Sequence, residues 1–142
     1  MSSKILAVAC AMAVLTSASL PAMAAKKKAD EPPSREVVGR DDVEGEIIGH
    51  EIEGSPFQKL EIGMSLRQVR DVVGKDRQED AECGSYITGK SFIPFHFGGD
   101  KVRQECAYKG LGRLVFTTQS DFTDRAVLIK IEYDAGEDGY RD

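Results

Sequence analysis

The chain has 142 residues, a formal net charge of −5 and 41% hydrophobic residues. This composition fits one folded domain with a modest core. It disfavours nonspecific nucleic-acid binding, which depends mainly on basic side chains placed against phosphates. We therefore expect no nucleic-acid partner.

Residues 1–24 have the three parts of a secretory signal peptide. Lys4 provides the charged start, residues 5–15 form the apolar run, and Ala22-Met23-Ala24 is a small-x-small cleavage site. The apolar run is shorter than the roughly 20 residues that a membrane-spanning helix needs. The pattern therefore predicts export, and we expect a periplasmic protein that is soluble or associated with the outer membrane.

Residues 25–55 are predicted to be a flexible acidic linker. Lys26 to Lys28 form a small basic cluster, and a peripheral contact with the outer membrane is one interpretation of it. Three lysines fall short of the roughly four to eight that usually bind an anionic membrane. Residues 37–54 alternate short apolar pairs with acids and glycines, and such glycine density weakens regular structure, so we expect at most an edge strand there.

The most informative local pattern is Leu60 to Gly74, which predicts one short amphipathic helix. Ser65 can accept a hydrogen bond from the first turn, and Gln68 can complete a capping box. Gly74 is suited to end the helix. The apolar positions follow at helical spacing and form one face: Leu66, Val69, Val72 and Val73.

Three cysteines are present, at positions 10, 83 and 106. Cys10 lies in the predicted signal, and lipidation there is the less favoured alternative because cleavage before it would leave too short a signal. Cys83 and Cys106 are expected to form a disulfide in an oxidising compartment. Their spacing does not fit a redox pair, which leaves two separate thiols as the other alternative.

The stretch from Tyr86 to Gly99 is the most aromatic part of the chain. In one interpretation it is a buried edge strand, confined to the edge by Pro94. In the other it is an exposed apolar patch that holds a partner or an extended peptide. The exposure of its phenylalanines distinguishes the two. The candidate partner-binding residues are Phe92, Ile93, Phe95 and Phe97.

Alternating apolar and polar residues predict three strands, at 102–109, 113–117 and 127–133. With the helix packed over them, they give an α+β fold. This fold is a two-layer sandwich of one or two short helices on a three-stranded antiparallel sheet. The predicted domain covers residues 56–135, and residues 136–142 form a tail.

The sequence carries no clear catalytic or metal-binding motif. His50 and His96 lack the spacing of zinc ligands. The acidic residues near the carboxyl end, Asp134, Glu137 and Asp138, do not have the spacing of an EF-hand loop. A nucleophile elbow and a phosphate loop are also missing. We therefore expect no cofactor, no metal and no enzymatic activity.

Two motifs carry a family resemblance. They are Lys59-Leu60-Glu61-Ile62-Gly63-Met64-Ser65 with Val69 and Val72-Val73-Gly74, and the final strand Ile129-Lys130-Ile131-Glu132-Tyr133. Residues 57–134 resemble the SmpA/OmlA family of BamE-like outer-membrane assembly lipoprotein domains. The resemblance implies two short helices against a three-stranded antiparallel sheet, with no cofactor and no catalysis. The chain departs from the lipidated members because no cysteine ends its signal.

The sequence thus predicts a noncatalytic binding or accessory module of the cell envelope. Outer-membrane protein assembly is the process that the resemblance implies, with an envelope protein as the partner. That partner would contact a sheet edge or the aromatic stretch. The alternative is an inhibitor-type domain that blocks an exported enzyme, because folds of this shape resemble β-lactamase inhibitor repeats.

Overall fold

A computed structural model describes residues 31–96, 98–118 and 125–141. The predicted signal peptide with Cys10, the basic cluster Lys26 to Lys28, Phe97 and residues 119–124 lie outside this description. Within it, three short 3-10 turns occur at Arg40–Asp42, Pro56–Lys59 and Gly89–Phe92. The helices and strands are β1 (Ser34–Val38), β2 (Glu44–Ile48), α1 (Leu66–Val73), α2 (Lys75–Glu79), β3 (Ala81–Ile87), β4 (Val102–Tyr108), β5 (Gly112–Thr118) and β6 (Ala126–Tyr133).

The strands form one mixed sheet in the order β1-β2-β6-β5-β4-β3. Strands β2 and β6 are parallel, and every other neighbouring pair is antiparallel. The predicted meander is present as β4, β5 and β6. The predicted fold class is nevertheless wrong, because the described residues form a six-stranded mixed sheet with only two short helices, and not a three-stranded antiparallel sheet.

Of the three additional strands, β1 and β3 have mostly exposed side chains, whereas the residues of β2 are mostly half-buried. β1 and β2 lie in the stretch predicted to be a linker, and β3 lies mostly before the aromatic stretch, with which it shares only Tyr86 and Ile87. The glycines of the linker stretch predicted weak regular structure, and Gly45 of β2 shows why that prediction is wrong. A Cβ atom at this position would lie 2.4 Å from the backbone oxygen of Ile129. The glycine therefore allows β2 to approach β6 closely, instead of marking a flexible segment.

The predicted helix is confirmed as α1, including its capping box. Ser65 Oγ accepts from the backbone N–H of Gln68 at 3.4 Å, and Gln68 Oε1 accepts from the backbone N–H of Ser65 at 2.9 Å. Gly74 ends the helix with φ of +90°. Val69 and Val73 are buried against the sheet, so the predicted apolar face is the packed face.

Phe57 occupies the centre of the core between α1 and the sheet. Its fully buried ring makes edge-on contacts with Tyr108, at 5.6 Å between ring centroids, and with Tyr133, at 6.0 Å. Ser55 caps the turn that carries Phe57 by accepting its backbone N–H at 3.1 Å. The other fully buried side chains of this core include Val69, Cys106, Leu114, Phe116 and Leu128.

The opposite face of the sheet carries charged side chains that pair across strands. Arg113 lies 2.6 Å from Glu137 and 3.7 Å from Glu105. Glu137 is only 7% exposed, although it lies in the segment predicted to be a solvated tail. The chain after β6 therefore contributes a buried carboxylate to this face of the sheet.

Candidate binding surface

The segment that joins β3 to β4, residues 88–101, projects apolar side chains into solvent. We call it the aromatic loop. Phe92 is 79% exposed, Ile93 54% and Phe95 89%. Residues 89–92 form a 3-10 turn and residues 93–96 are not in a strand, so the buried-strand interpretation is wrong for them. The described phenylalanines of the loop are exposed, as expected if the stretch is an apolar patch that holds a partner.

Hydrogen bonds close the base of the aromatic loop and join it to β5. The backbone N–H of Thr88 donates to the oxygen of Lys101 at 2.8 Å, and Ser91 Oγ donates to the same oxygen at 2.7 Å. The backbone N–H of Asp100 donates to the oxygen of Thr118 at 2.8 Å. The exposed phenylalanines therefore extend from an ordered base.

Asp100 is the main polar anchor of the aromatic loop. Its carboxylate accepts from Arg103 Nε at 2.6 Å and Nη2 at 2.8 Å, from Lys90 Nζ at 2.7 Å, and from Thr117 Oγ1 at 3.0 Å. The Arg103 hydrogen bonds, assisted by Lys90 and Thr117, hold the pKa of Asp100 well below its usual value, against the effect of burial. Asp100 in turn raises the pKa of Arg103.

We predict that Asp100→Asn lowers the free energy of unfolding near neutral pH by roughly 1.5 to 3 kcal/mol, because it weakens hydrogen bonds between charged groups. The pKa of this carboxyl is lower in the folded protein than the unfolded value of about 3.9. Its charged form therefore adds stability above that value, and this stability is lost as the pH falls towards the folded pKa. Urea denaturation should show the gap between the two proteins narrowing below about pH 4.

Asp71→Asn is the matched control for this prediction. Asp71 is exposed on α1 and forms no ion pair with the residues that the structure describes. Its replacement should change the free energy of unfolding by less than about 0.5 kcal/mol. A gap between wild type and Asp100→Asn that stayed constant down to acidic pH would contradict the assigned role of Asp100.

β3 provides a free strand edge next to the aromatic loop. It is the last strand of the sheet, so no described strand pairs with its outer side. Ile87 is 63% exposed and lies opposite Val102, which is also exposed, where the two strands enter the loop. Unpaired backbone groups on such an edge can accept an additional strand from a partner.

The predicted disulfide between Cys83 and Cys106 is present. The two residues lie directly opposite each other in the β3–β4 register, with their Cα atoms 4.1 Å apart. Cys106 is fully buried in the core, whereas Cys83 is exposed. The bond therefore ties the exposed edge strand to a core strand.

The two histidines lie apart from any cluster of metal-ligand type. His96 Nε2 lies 3.4 Å from the oxygen of Gly99, within the aromatic loop. Among the residues with described positions, no group of three or more His, Cys, Asp and Glu side chains could hold a metal ion.

Burial raises the pKa of Tyr108 and of Tyr133, which keeps both phenols neutral in the core.

The aromatic loop and the β3 edge thus adjoin at one end of the sheet and form the candidate binding surface. The phenylalanines of this surface are visible in the sequence as an aromatic cluster, whereas Asp100 and Arg103 show only a three-residue spacing there. In the described part of the chain, no helix has the length and apolar character needed to cross a bilayer. Comparisons with protein-family models, curated proteins and solved structures find no match for this chain.

Proposed function

We propose that the protein is a noncatalytic binding module of the cell envelope, located in the periplasm or at the outer membrane. In this proposal the aromatic loop and the β3 edge dock onto an envelope protein. The observation that carries the proposal is the exposure of Phe92 and Phe95 on a loop whose base is held by Asp100. An ordered apolar surface of this kind is typical of a protein–protein contact.

Burial of these side chains in a partner supplies the driving force for docking. Transfer of a large apolar side chain from water to a buried contact contributes about 1.5 to 3 kcal/mol. Phe95 also has φ of +60°, which bulky residues rarely adopt. Such backbone conformations concentrate at functional sites. A few well-placed aromatic residues commonly supply most of the free energy of binding.

Three features support the envelope as the location. The predicted signal peptide directs export, and the disulfide suits an oxidising compartment. The residues that resemble the SmpA/OmlA family lie in α1, in the segment before it and in β6. That resemblance favours an accessory role in outer-membrane protein assembly.

Photo-crosslinking in the living envelope tests the proposal. We expect p-benzoylphenylalanine in place of Phe92 or Phe95 to give a discrete adduct with one envelope protein, because both rings lie in the docking surface. Val38 is the matched control position, since it is 67% exposed and lies on β1, at the opposite edge of the sheet from β3. Mass spectrometry of the adducts identifies the partner.

A second measurement links the adduct to binding. Phe92→Ser should weaken association with the captured partner at least about tenfold, as expected for a residue that carries binding energy. Val38→Ser should not weaken it. Equal adducts from all three positions, or full binding by Phe92→Ser, would contradict the proposed surface.

An inhibitor-type domain is the second candidate function. Phe95 favours it because a strongly exposed aromatic ring on an ordered loop can fill the cleft of an exported enzyme. If the captured partner is a hydrolase, its activity should fall in proportion to added protein and should recover with Phe95→Ser. Unchanged hydrolase activity would exclude this second function and leave the accessory role.

A further inference from the structure

We propose that a groove beside α1 binds a small ligand with two adjacent anionic groups, such as a diphosphate. The groove has a volume of about 1020 Å³, close to the upper end of the roughly 300 to 1,000 Å³ common for small-molecule sites. It lies outside the aromatic loop, so the proposal is independent of the proposed function. Four arginines line it: Arg40, Arg67, Arg70 and Arg125.

The charge of this groove is opposite to that of the whole protein. The chain has a net charge of −5, yet Asp41 is the only acidic residue among the described residues that line the groove. Arg40 is paired with Glu61. Arg67, Arg70 and Arg125 form no ion pair within the part of the chain that the structure describes. Three guanidinium groups are therefore available to an anion.

The positions of two arginines on α1 define the kind of ligand. Arg67 and Arg70 are three residues apart, so they lie side by side on one face of the helix, with Cβ atoms about 5 to 6 Å apart. Like charges at this spacing destabilise a helix, and a bound anion would relieve the repulsion. Each guanidinium can donate two hydrogen bonds to one phosphate or carboxylate. The pair thus matches two neighbouring anionic groups.

The opposite wall of the groove is held rigidly against α1. The backbone N–H of Gly63 donates to the oxygen of Leu128, and the N–H of Leu128 donates to the oxygen of Met64, both at 2.8 Å. These bonds fix the segment before α1 to β6, which begins directly after Arg125. The segments that carry the arginines are therefore joined by backbone hydrogen bonds, and the main ordering cost of binding is the conformational freedom that the exposed arginine side chains lose.

Isothermal titration of the protein with pyrophosphate at low salt tests the proposal. We expect binding that weakens as salt is added, because the contacts are ionic. Arg67→Gln and Arg70→Gln should each reduce the affinity about tenfold. Both residues are exposed and glutamine is a good helix former, so the fold should be retained and circular dichroism can verify it.

Arg77→Gln is the matched control, because Arg77 is exposed on α2 and does not line the groove. A second titration uses phosphatidylcholine vesicles that contain farnesyl diphosphate, which separates a free diphosphate from one carried on a lipid. Binding of either probe that depends on Arg67 and Arg70 but not on Arg77 supports the site. Failure of both probes to bind, or equal weakening by Arg77→Gln, would overturn it.

Discussion

Phe57→Ala should lower the free energy of unfolding by about 3 to 5 kcal/mol, the usual cost of removing a large aromatic side chain from a core. Phe57 is fully buried and contacts both Tyr108 and Tyr133 edge-on. Its removal loses these contacts and leaves a cavity that α1 and the sheet cannot fill without moving. Urea denaturation followed by circular dichroism measures the change.

Phe92→Ala is the matched control for this prediction, since it removes the same side chain from an exposed position. We expect it to change the free energy of unfolding by less than about 0.5 kcal/mol. Similar losses from the two substitutions would contradict the placement of Phe57 at the centre of the core.

Reduction of the disulfide between Cys83 and Cys106 should lower the free energy of unfolding by about 3 kcal/mol. The two cysteines are 23 residues apart in the sequence. In the chain-entropy model, a bond that closes a loop of this length removes about that much conformational freedom from the unfolded chain. The urea midpoint should therefore fall when reductant is added. Mass spectra of the oxidised and reduced protein should differ by two hydrogens.

A double variant separates the bond from other effects of reductant. Cys83→Ser combined with Cys106→Ser should be destabilised at least as much as the reduced protein, and reductant should not change its midpoint further. Cys106 is buried, so its serine adds the cost of a buried hydroxyl. A wild-type midpoint that did not respond to reductant would exclude a stabilising role for the bond.

Local patterns in the sequence predicted α1 and the meander correctly. The capping box of Ser65 and Gln68 and the stop at Gly74 involve residues within one short segment. The apolar residues of β5 and β6 lie close together in the sequence, and most of them are buried. Each of these signals is complete within about ten residues, so no knowledge of distant partners is needed.

The strands at both edges of the sheet could not be predicted in the same way. The side chains of β1 and β3 are mostly exposed, so they carry no alternation between apolar and polar residues. Their strand conformation depends on pairing with β2 and β4, which follow later in the chain. Gly45 of β2 contributed to the linker prediction. Its actual role, a close approach to the backbone of Ile129, involves a residue that is distant in the sequence.

The candidate surfaces were predictable only in part. Composition identified Phe92 and Phe95, but their exposure depends on contacts of Asp100 with Thr117 and Thr118 on β5. The arginine groove left a weaker trace. Only the spacing of Arg67 and Arg70 is visible in the sequence, whereas Arg125 joins them through the packing of β6 against the start of α1.

The parallel pairing of β2 with β6 sets the order in which this protein can fold. Residue pairs such as Ile47 and Ile131 belong to the first and last parts of the described chain. During synthesis, the β1–β2 hairpin is made long before the strand that receives it. Contacts between such distant segments form slowly because the intervening chain must first be closed into a loop. We therefore expect the pairing of the hairpin with β6 to form late in folding.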